Sequence, residues 1–239
     1  GDIPFGVQGI IPWRGLGQRP SSTGEFQNKT FHGANPGGRP AARTHKTYME
    51  NAMDKTMLEQ LSPENSALLM IDLQPQMAFG VVNIDRQELK NNAGALAKGA
   101  KPFNVPTFIP SVETESFSGF TFPELTGVFP DAPVYERTSM TSWDSKKLRD
   151  DIKAAGRKKV IILALWTEAC LCFPTLDMLR EGYEVYPVVD AVSGTSLAAH
   201  AAALRRVEQA GAAPVSIAQL GCELPRAWHR GETRESFGG

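Results

Sequence analysis

Three side chains that could act together in acyl transfer follow three predicted strands of this 239-residue chain. Asp72 comes directly after an apolar run, Arg137 follows a short predicted strand, and Cys170 opens a predicted helix. A thiol can attack a carbonyl carbon, a carboxylate can move its proton, and a cation can hold negative charge. Together these groups predict a cysteine hydrolase. Separately, each has an ordinary alternative: a turn-capping Asp, a solvated Arg and a small buried Cys.

Cys170 stands where a predicted strand turns into a helix, a favourable position for a nucleophile. Backbone N–H groups and the positive end of the helix dipole are expected to lower its pKa there. The other two cysteines, Cys172 and Cys222, complete no disulfide framework, and Cys-x-Cys is not a redox pair. Cys172 is expected to pack in the interior. This sparse cysteine content favours a reducing compartment, and we expect a cytoplasmic protein.

The elements that must position these residues alternate between apolar strands and helices of about 10–14 residues, the rhythm of βαβ units. We predict an α/β fold with three layers (α/β/α) and a six-stranded, mainly parallel sheet, the last strand lying at residues 213–217. Chemistry in such sheets lies beyond the carboxyl ends of the strands. Asp72, Arg137 and Cys170 all occupy such ends.

The N-terminal part differs in composition from the rest, and we divide the chain into an irregular arm (residues 1–58) and a regular domain (residues 59–239). Residues 1–46 hold 9 of the 22 Gly and 5 of the 17 Pro. Such a segment cannot bury enough apolar surface to order by itself. We expect it to cross to a neighbouring subunit of a homo-oligomer through its apolar residues, namely Ile3, Phe5, Ile10, Ile11 and Trp13.

Composition excludes several classes of protein. Hydrophobic residues make up 41% and charged residues 21%, values typical of a globular chain rather than a disordered one. The formal net charge of −1 offers no basic field for a phosphate backbone, so we expect no nucleic-acid partner. The apolar runs are far shorter than the roughly 20 residues of a membrane helix, so we expect no membrane association.

Two segments around these residues carry a resemblance to a known family. Residues 67–74 and, above all, residues 164–174 resemble the isochorismatase-like cysteine hydrolase superfamily. Shorter segments are similar to its YcaC-like branch: Phe173–Leu176, Glu181–Tyr183, Val189–Ala191 and Gly221–Leu224. The resemblance covers about residues 62–229. It implies the isochorismatase-like fold for the domain, while the N-terminal arm has no counterpart in that family.

The resemblance implies a catalytic set of an Asp, a Lys and a Cys. By position these are Asp72, Arg137 in place of the family Lys, and Cys170 as nucleophile. Arg keeps its charge, whereas Lys can lose its proton. Arg137 is therefore expected to hold Asp72 and the thiolate by charge rather than to carry a proton.

The resemblance also implies a cis peptide bond before the nucleophile, which maps to Trp166–Thr167. Backbone N–H groups, including those of Ala169 and Cys170, would then form an oxyanion hole.

Four side chains are candidates for the wall of the substrate pocket, each with a core or rim position as the alternative: Gln74, Glu113, Phe117 and Trp143. Metal-binding relatives hold their ion through an Asp-x-His pattern after the second strand, but residues 111–117 contain no His. The four His of the chain show no ligand spacing. We expect neither a metal nor any other cofactor.

Three functions remain open. The first is a cofactor-free cysteine amidohydrolase that cleaves a C–N bond of a small amide-like substrate through a Cys170 thioester. The second is a family member without thiol chemistry, which the presence of Cys170 disfavours. The third is a catalytically altered oligomeric scaffold or binding protein on the same fold. The resemblance further implies a homo-oligomer, with the octamers of the YcaC-like branch as the pattern.

Overall fold

The computed structural model describes residues 58–227 and 231–232. The predicted arm, apart from Leu58, lies outside the described residues, as do the apolar residues expected to bind a neighbouring subunit. In the part that is described, no helix is both long enough and apolar enough to cross a membrane.

The predicted α/β fold is confirmed, with a parallel sheet at its centre. Among the described residues the sheet has five strands in the order β3-β2-β1-β4-β5. All four neighbouring pairs are parallel. The strands are β1 (Ser66–Ile71), β2 (Thr107–Val112), β3 (Val134–Arg137), β4 (Lys159–Ala164) and β5 (Glu184–Pro187).

Helices cover both sides of the sheet, as parallel strands joined by right-handed crossovers require. Helix α2 contacts α3 and α7, and α5 contacts α6. The helices are α1 (Pro75–Phe79), α2 (Arg86–Ala100), α3 (Pro123–Thr126), α4 (Lys146–Ala154), α5 (Cys172–Arg180), α6 (Leu197–Gln209) and α7 (Ile217–Glu223).

The two central strands, β1 and β4, bring the candidate residues to one edge of the sheet. All six residues of each strand are buried. Their register pairs Ile71 with Ala164 at the carboxyl ends. Asp72 and the segment leading to Cys170 therefore leave the sheet side by side. On the other side of β1, the pairing of Val112 with Arg137 brings the end of β3 to the same edge.

The sixth predicted strand, at residues 213–217, is reduced to a single parallel bridge between Val215 and Val188. The Val215 N–H donates to Pro187 O, and the Val189 N–H donates to Val215 O, each at 2.9 Å. The pairing ends there because Ser216 caps α7, its hydroxyl accepting from the Gln219 N–H at 3.2 Å. This helix cap makes the segment too short for a strand.

Candidate active site

The three predicted catalytic residues lie at the carboxyl ends of β1, β3 and β4. Asp72 follows β1 with a φ of 55°, a left-handed conformation that Asp adopts more readily than most residues. Its N–H donates to Pro110 O at 3.0 Å, which joins this turn to β2. Arg137 is the last residue of β3, and Cys170 lies in a π-helical turn, Thr167–Leu171, that we call the cysteine turn.

Asp72 and Arg137 form a buried ion pair with two parallel hydrogen bonds. Arg137 Nη1 donates to Asp72 Oδ1 and Nη2 to Oδ2, both at 2.6 Å. The Asp72 side chain is fully buried, and that of Arg137 is 4% exposed. Arg137 Nη2 also lies 3.7 Å from Cys170 Sγ. This arrangement places a carboxylate, a cation and a thiol in mutual contact, with the carboxylate held rigidly by the planar guanidinium.

The charges of the ion pair respond to burial and to each other. Burial raises the pKa of the Asp72 carboxyl, while the hydrogen bonds and charge of Arg137 act against that rise. Burial acts to lower the pKa of Arg137, but the Asp72 carboxylate outweighs it and the pKa is raised. Arg137 therefore remains a cation, and Asp72 is a stronger base than an exposed Asp.

The Cys170 thiol has a raised pKa, so the expectation of a lowered one is wrong. Burial, as the largest cause, together with the charge of Asp72 and its hydrogen bond to the thiol, raises the pKa to about 12. The charge of Arg137 and a hydrogen bond from the Trp166 backbone act in the opposite direction. Cys170 lies within the cysteine turn, whereas helix α5 begins only at Cys172. At rest the site therefore holds a protonated thiol beside a carboxylate.

The backbone before Cys170 contains the expected kind of cis peptide bond, one position earlier than predicted. The bond joins Leu165 and Trp166, not Trp166 and Thr167. The position that the resemblance implies for this bond is one residue too far along the chain. The Thr167 N–H instead donates to Ser193 O at 2.9 Å, and the Ala169 N–H donates to Trp166 O at 3.1 Å. The Ala169 N–H, predicted for the oxyanion hole, is thus used within the turn.

Gln74 serves the backbone rather than a pocket wall. It is fully buried, and its Nε2 donates to Val112 O at 3.0 Å and to Gly119 O at 2.5 Å. Its Oε1 accepts from the Val112 N–H at 3.0 Å. These three bonds occupy both amide donors and one acceptor position. Gln74 therefore joins the segment after β1 to the end of β2 and to the loop beyond it.

The other three predicted pocket residues occupy different surroundings. Trp143 is a core residue, because its indole N–H donates to Glu181 Oε1 at 2.8 Å and its ring meets Tyr183 edge-on. Glu113 lines a cavity of about 770 Å³ beside β2 and β3, which Asp72, Arg137 and Cys170 do not line. Phe117 is 57% exposed. The structure thus brings the three candidate catalytic residues together, while the buried side chains of Gln74 and Trp143 are engaged in hydrogen bonds and Glu113 lines a separate cavity.

Two contacts to the cysteine turn were not anticipated from the sequence. Thr167 Oγ1 lies 2.9 Å from His200 Nδ1, and Glu168 Oε1 accepts from the Thr195 N–H at 3.0 Å. Local spacing carries no signal for either pair, because the partners are 33 and 27 residues apart in the chain. Within residues 58–227 and 231–232, no three His, Cys, Asp or Glu side chains are grouped so that they could hold a metal ion.

Comparison with known proteins agrees with this fold. The isochorismatase domain family matches residues 66–219. The chain belongs to this family, the isochorismatase-like hydrolases.

The chain is similar to proteins of the YcaC type. The probable hydrolase YcaC of Escherichia coli (strain K12) is 34% identical over 170 residues, which cover 71% of this chain and 82% of that protein. Its crystal structure, described as an octameric hydrolase of unknown specificity, matches with a TM-score of 0.69 over 71% of this chain and 83% of that one.

YcaC from Pseudomonas aeruginosa, solved with hexane-2,5-diol and covalent acrylamide, matches with a TM-score of 0.72 and 33% identity, over 75% of this chain and 91% of that one. These matches place the chain in the YcaC-like branch of the family.

Proposed function

We propose that this protein is a cofactor-free cysteine hydrolase that cleaves a C–N bond of a small amide-like substrate through a thioester on Cys170. The observation that carries the proposal is the contact between the buried Asp72–Arg137 pair and the Cys170 thiol. A carboxylate hydrogen-bonded to a thiol can take its proton, and a fixed cation beside them stabilises the charge that develops.

In the first half of the reaction, Asp72 removes the Sγ proton as Cys170 attacks the substrate carbonyl carbon. The raised pKa of Asp72 suits a general base, because a more basic carboxylate takes the proton more readily. The carbonyl oxygen gains the negative charge, and we assign its stabilisation to the Cys170 N–H. The C–N bond then breaks, Asp72 gives its proton to the leaving nitrogen, and an acyl thioester remains.

In the second half, Asp72 removes a proton from water and the resulting hydroxide attacks the thioester carbonyl. The C–S bond breaks, the acid leaves, and the Cys170 sulfur takes back the proton held by Asp72. Asp72 thus carries the thiol proton to the leaving nitrogen and later a water proton to the sulfur, so both side chains return to their starting states and no external acid, base or oxidant is consumed. Arg137 gives up no proton at any step, because its raised pKa keeps the guanidinium protonated and cationic.

The description of the Pseudomonas aeruginosa relative supports a reactive group of this kind. That protein holds covalent acrylamide, a compound with both an electrophilic carbon and an amide. We propose that the same compound reacts with this chain at Cys170.

The test combines covalent capture with product detection. We expect acrylamide to modify Cys170 in preference to the exposed Cys222, as read by peptide mass spectrometry. We expect at least one compound from a panel of primary amides, ureides and N-carbamoyl compounds to release ammonia. Cys170→Ala should lower that release by about a thousandfold or more.

Cys222→Ser is the matched control and should leave both adduct and ammonia unchanged. Modification of Cys222 alone, together with no ammonia from any member of the panel, would contradict the proposal.

A second candidate is a binding protein that has lost the reaction. The observation that favours it is the raised pKa of Cys170, about 12, which leaves very little thiolate at neutral pH. In that case, small amides would protect Cys170 from acrylamide without being cleaved.

We also propose that the chain forms a homo-oligomer. The Escherichia coli relative is described as an octamer. Large apolar side chains are exposed in segments that follow β1, β2, β3 and β4, among them Phe79, Phe120, Met140 and Phe173. Several large apolar side chains exposed in this way favour burial against another subunit.

A further inference from the structure

We propose that Thr167, Glu168 and His200 are positioning residues that hold the cysteine turn where Cys170 can react. This inference rests on the proposed function, because it concerns how that reaction is prepared. It assigns a role to the segment between β5 and α6, which contributes none of the three residues of the catalytic set.

Thr167 is held by its hydroxyl and by its backbone. It is fully buried, its Oγ1 lies 2.9 Å from His200 Nδ1, and its N–H donates to Ser193 O at 2.9 Å. Burial lowers the pKa of His200, with the charge of Glu168 acting against it. The His200 ring is therefore neutral at neutral pH, and its Nδ1 can accept a hydrogen bond from the Thr167 hydroxyl. These bonds join the first residue of the cysteine turn to the segment before α6 and to α6 itself.

Glu168 joins the next residue of the turn to the same segment. Its Oε1 accepts from the N–H and the hydroxyl of Thr195. Its Oε2 is buried and has no hydrogen-bond partner in the described part of the chain. A Cβ added at Gly194 would lie 2.6 Å from this oxygen and 3.0 Å from His200 Cβ. The Glu168 carboxylate and the Cβ of His200 thus occupy the space that any larger residue at position 194 would need.

The segment is in turn joined to the residues that follow β1. Asn83 Oδ1 accepts from Ser193 Oγ at 2.8 Å and from the Gly194 N–H at 2.7 Å. The Val82 N–H donates to Gly194 O at 3.1 Å. Asp72 also lies in the segment that follows β1, so these contacts link the part of the chain that carries the carboxylate to the residues that hold the cysteine turn.

This arrangement matters because proton transfer and attack depend on the distance between Asp72 and Cys170. A displacement of about 1 Å in a reacting group can lower a rate about a hundredfold. The hydrogen bonds of Thr167, Glu168 and His200 described above join the first two residues of the cysteine turn to residues 193–195 and to α6. We therefore assign these residues positioning roles, and catalysis stays with Asp72, Arg137 and Cys170.

The first experiment adds one methyl group. Gly194→Ala should displace Glu168 and His200, and we expect the rate constant for acrylamide addition to Cys170 to fall about tenfold. Gly94→Ala is the matched control, because a Cβ at Gly94 would meet nothing within 4 Å. It should react within about twofold of the unchanged protein.

The second experiment removes and restores single hydrogen bonds. Thr167→Val keeps the shape but loses the hydroxyl, and we expect a fall in rate similar to that of Gly194→Ala. Thr167→Ser keeps the hydroxyl and should restore the rate. His200→Leu should react slowly, whereas His200→Asn should recover most of the rate, since its amide oxygen can accept near the position of Nδ1. If Thr167 and His200 only stabilised the fold, the two variants at each position would react with acrylamide at equal rates whenever their folded fractions were equal. A difference that follows the hydrogen-bonding atom therefore indicates a positioning role.

Hydrogen exchange at the amides of residues 167–172 provides a readout that does not depend on reactivity. In Gly194→Ala and Thr167→Val we expect faster exchange there, with β1 unchanged. Wild-type exchange and wild-type acrylamide rates in both variants would overturn the inference, and so would a faster reaction. If Cys170 of the unchanged protein does not react with acrylamide, the exchange data alone decide the positioning role, and ammonia release from the amide panel decides the proposed function separately.

Discussion

At the scale of single residues, the Asp72 carboxylate bonds to both other members of the candidate catalytic set. Asp72 accepts two hydrogen bonds from Arg137 and a further one from the Cys170 thiol. The guanidinium keeps the carboxylate in place, and the carboxylate keeps the thiol protonated. An Arg at this position strengthens the first effect, because it bonds both oxygens at once and holds its charge.

We expect Asp72→Asn to lower the pKa of Cys170 from about 12 towards the ordinary value of 9.0. The sign follows from charge: the Asp72 carboxylate opposes the thiolate, and its removal leaves the thiolate beside Arg137 alone. The same change should lower turnover by about a hundredfold or more, because the general base is lost. Thiolate absorbance measured against pH, with Cys170→Ala as the blank, gives the pKa.

Asp150→Asn serves as the control, because Asp150 is an exposed partner of Lys146 on α4. It should leave the thiol titration as it is. An unchanged or higher pKa in Asp72→Asn would show that the carboxylate does not control the thiol.

At the scale of elements, the Gln74 side chain connects the end of β1 to the end of β2. Gln74→Leu would leave the Val112 N–H and the partly buried carbonyls of Val112 and Gly119 without these partners. Each unsatisfied buried group costs about 1–3 kcal/mol, so we expect the free energy of unfolding to fall by about 3 kcal/mol. Denaturant titration measures this change.

Gln87→Leu on the exposed face of α2 is the matched control and should change the free energy by no more than about 0.5 kcal/mol. Equal stabilities of the two variants would show that the Gln74 amide is not needed to join the strands.

At the scale of the whole molecule, we expect an oligomer, because the apolar side chains at the carboxyl edge of the sheet favour burial against another subunit. Light scattering after size exclusion should give a multiple of the 26.0 kDa subunit, with eight copies as in the Escherichia coli relative. A single 26.0 kDa species at micromolar concentration would contradict the expectation. Deletion of residues 1–46 in the same measurement reports whether the N-terminal arm contributes to assembly.

Much of the fold was predictable because its signals are local. The buried runs of β1 and β4 are continuous in the sequence, and Gly156, Gly182 and Gly211, each two residues beyond the end of a helix, all have the positive φ that favours glycine at such ends. The strand predicted at residues 213–217 is shorter in the structure, because Ser216 caps α7 and ends the pairing after Val215. The sequence also placed Asp72, Arg137 and Cys170 at one edge of the sheet through the general rule for parallel strands.

The features that the sequence did not predict depend on contacts between distant parts of the chain. Gln74 and Trp143 bond to groups 38 residues or more away, so their spacing could not separate a pocket wall from a core position. The pKa of Cys170 was expected to fall because a helix start is a local feature. Burial and the Asp72 charge, which raise it, appear only once the chain is folded.

The raised pKa of Cys170 also bears on how the protein withstands oxidants. Peroxide attacks thiolates far faster than thiols, and it must reach the sulfur. Cys170 is protonated and buried, whereas Cys222 is exposed. We therefore expect mild oxidation to fall on Cys222 first, because in the proposed reaction the Cys170 sulfur becomes nucleophilic only as Asp72 takes its proton.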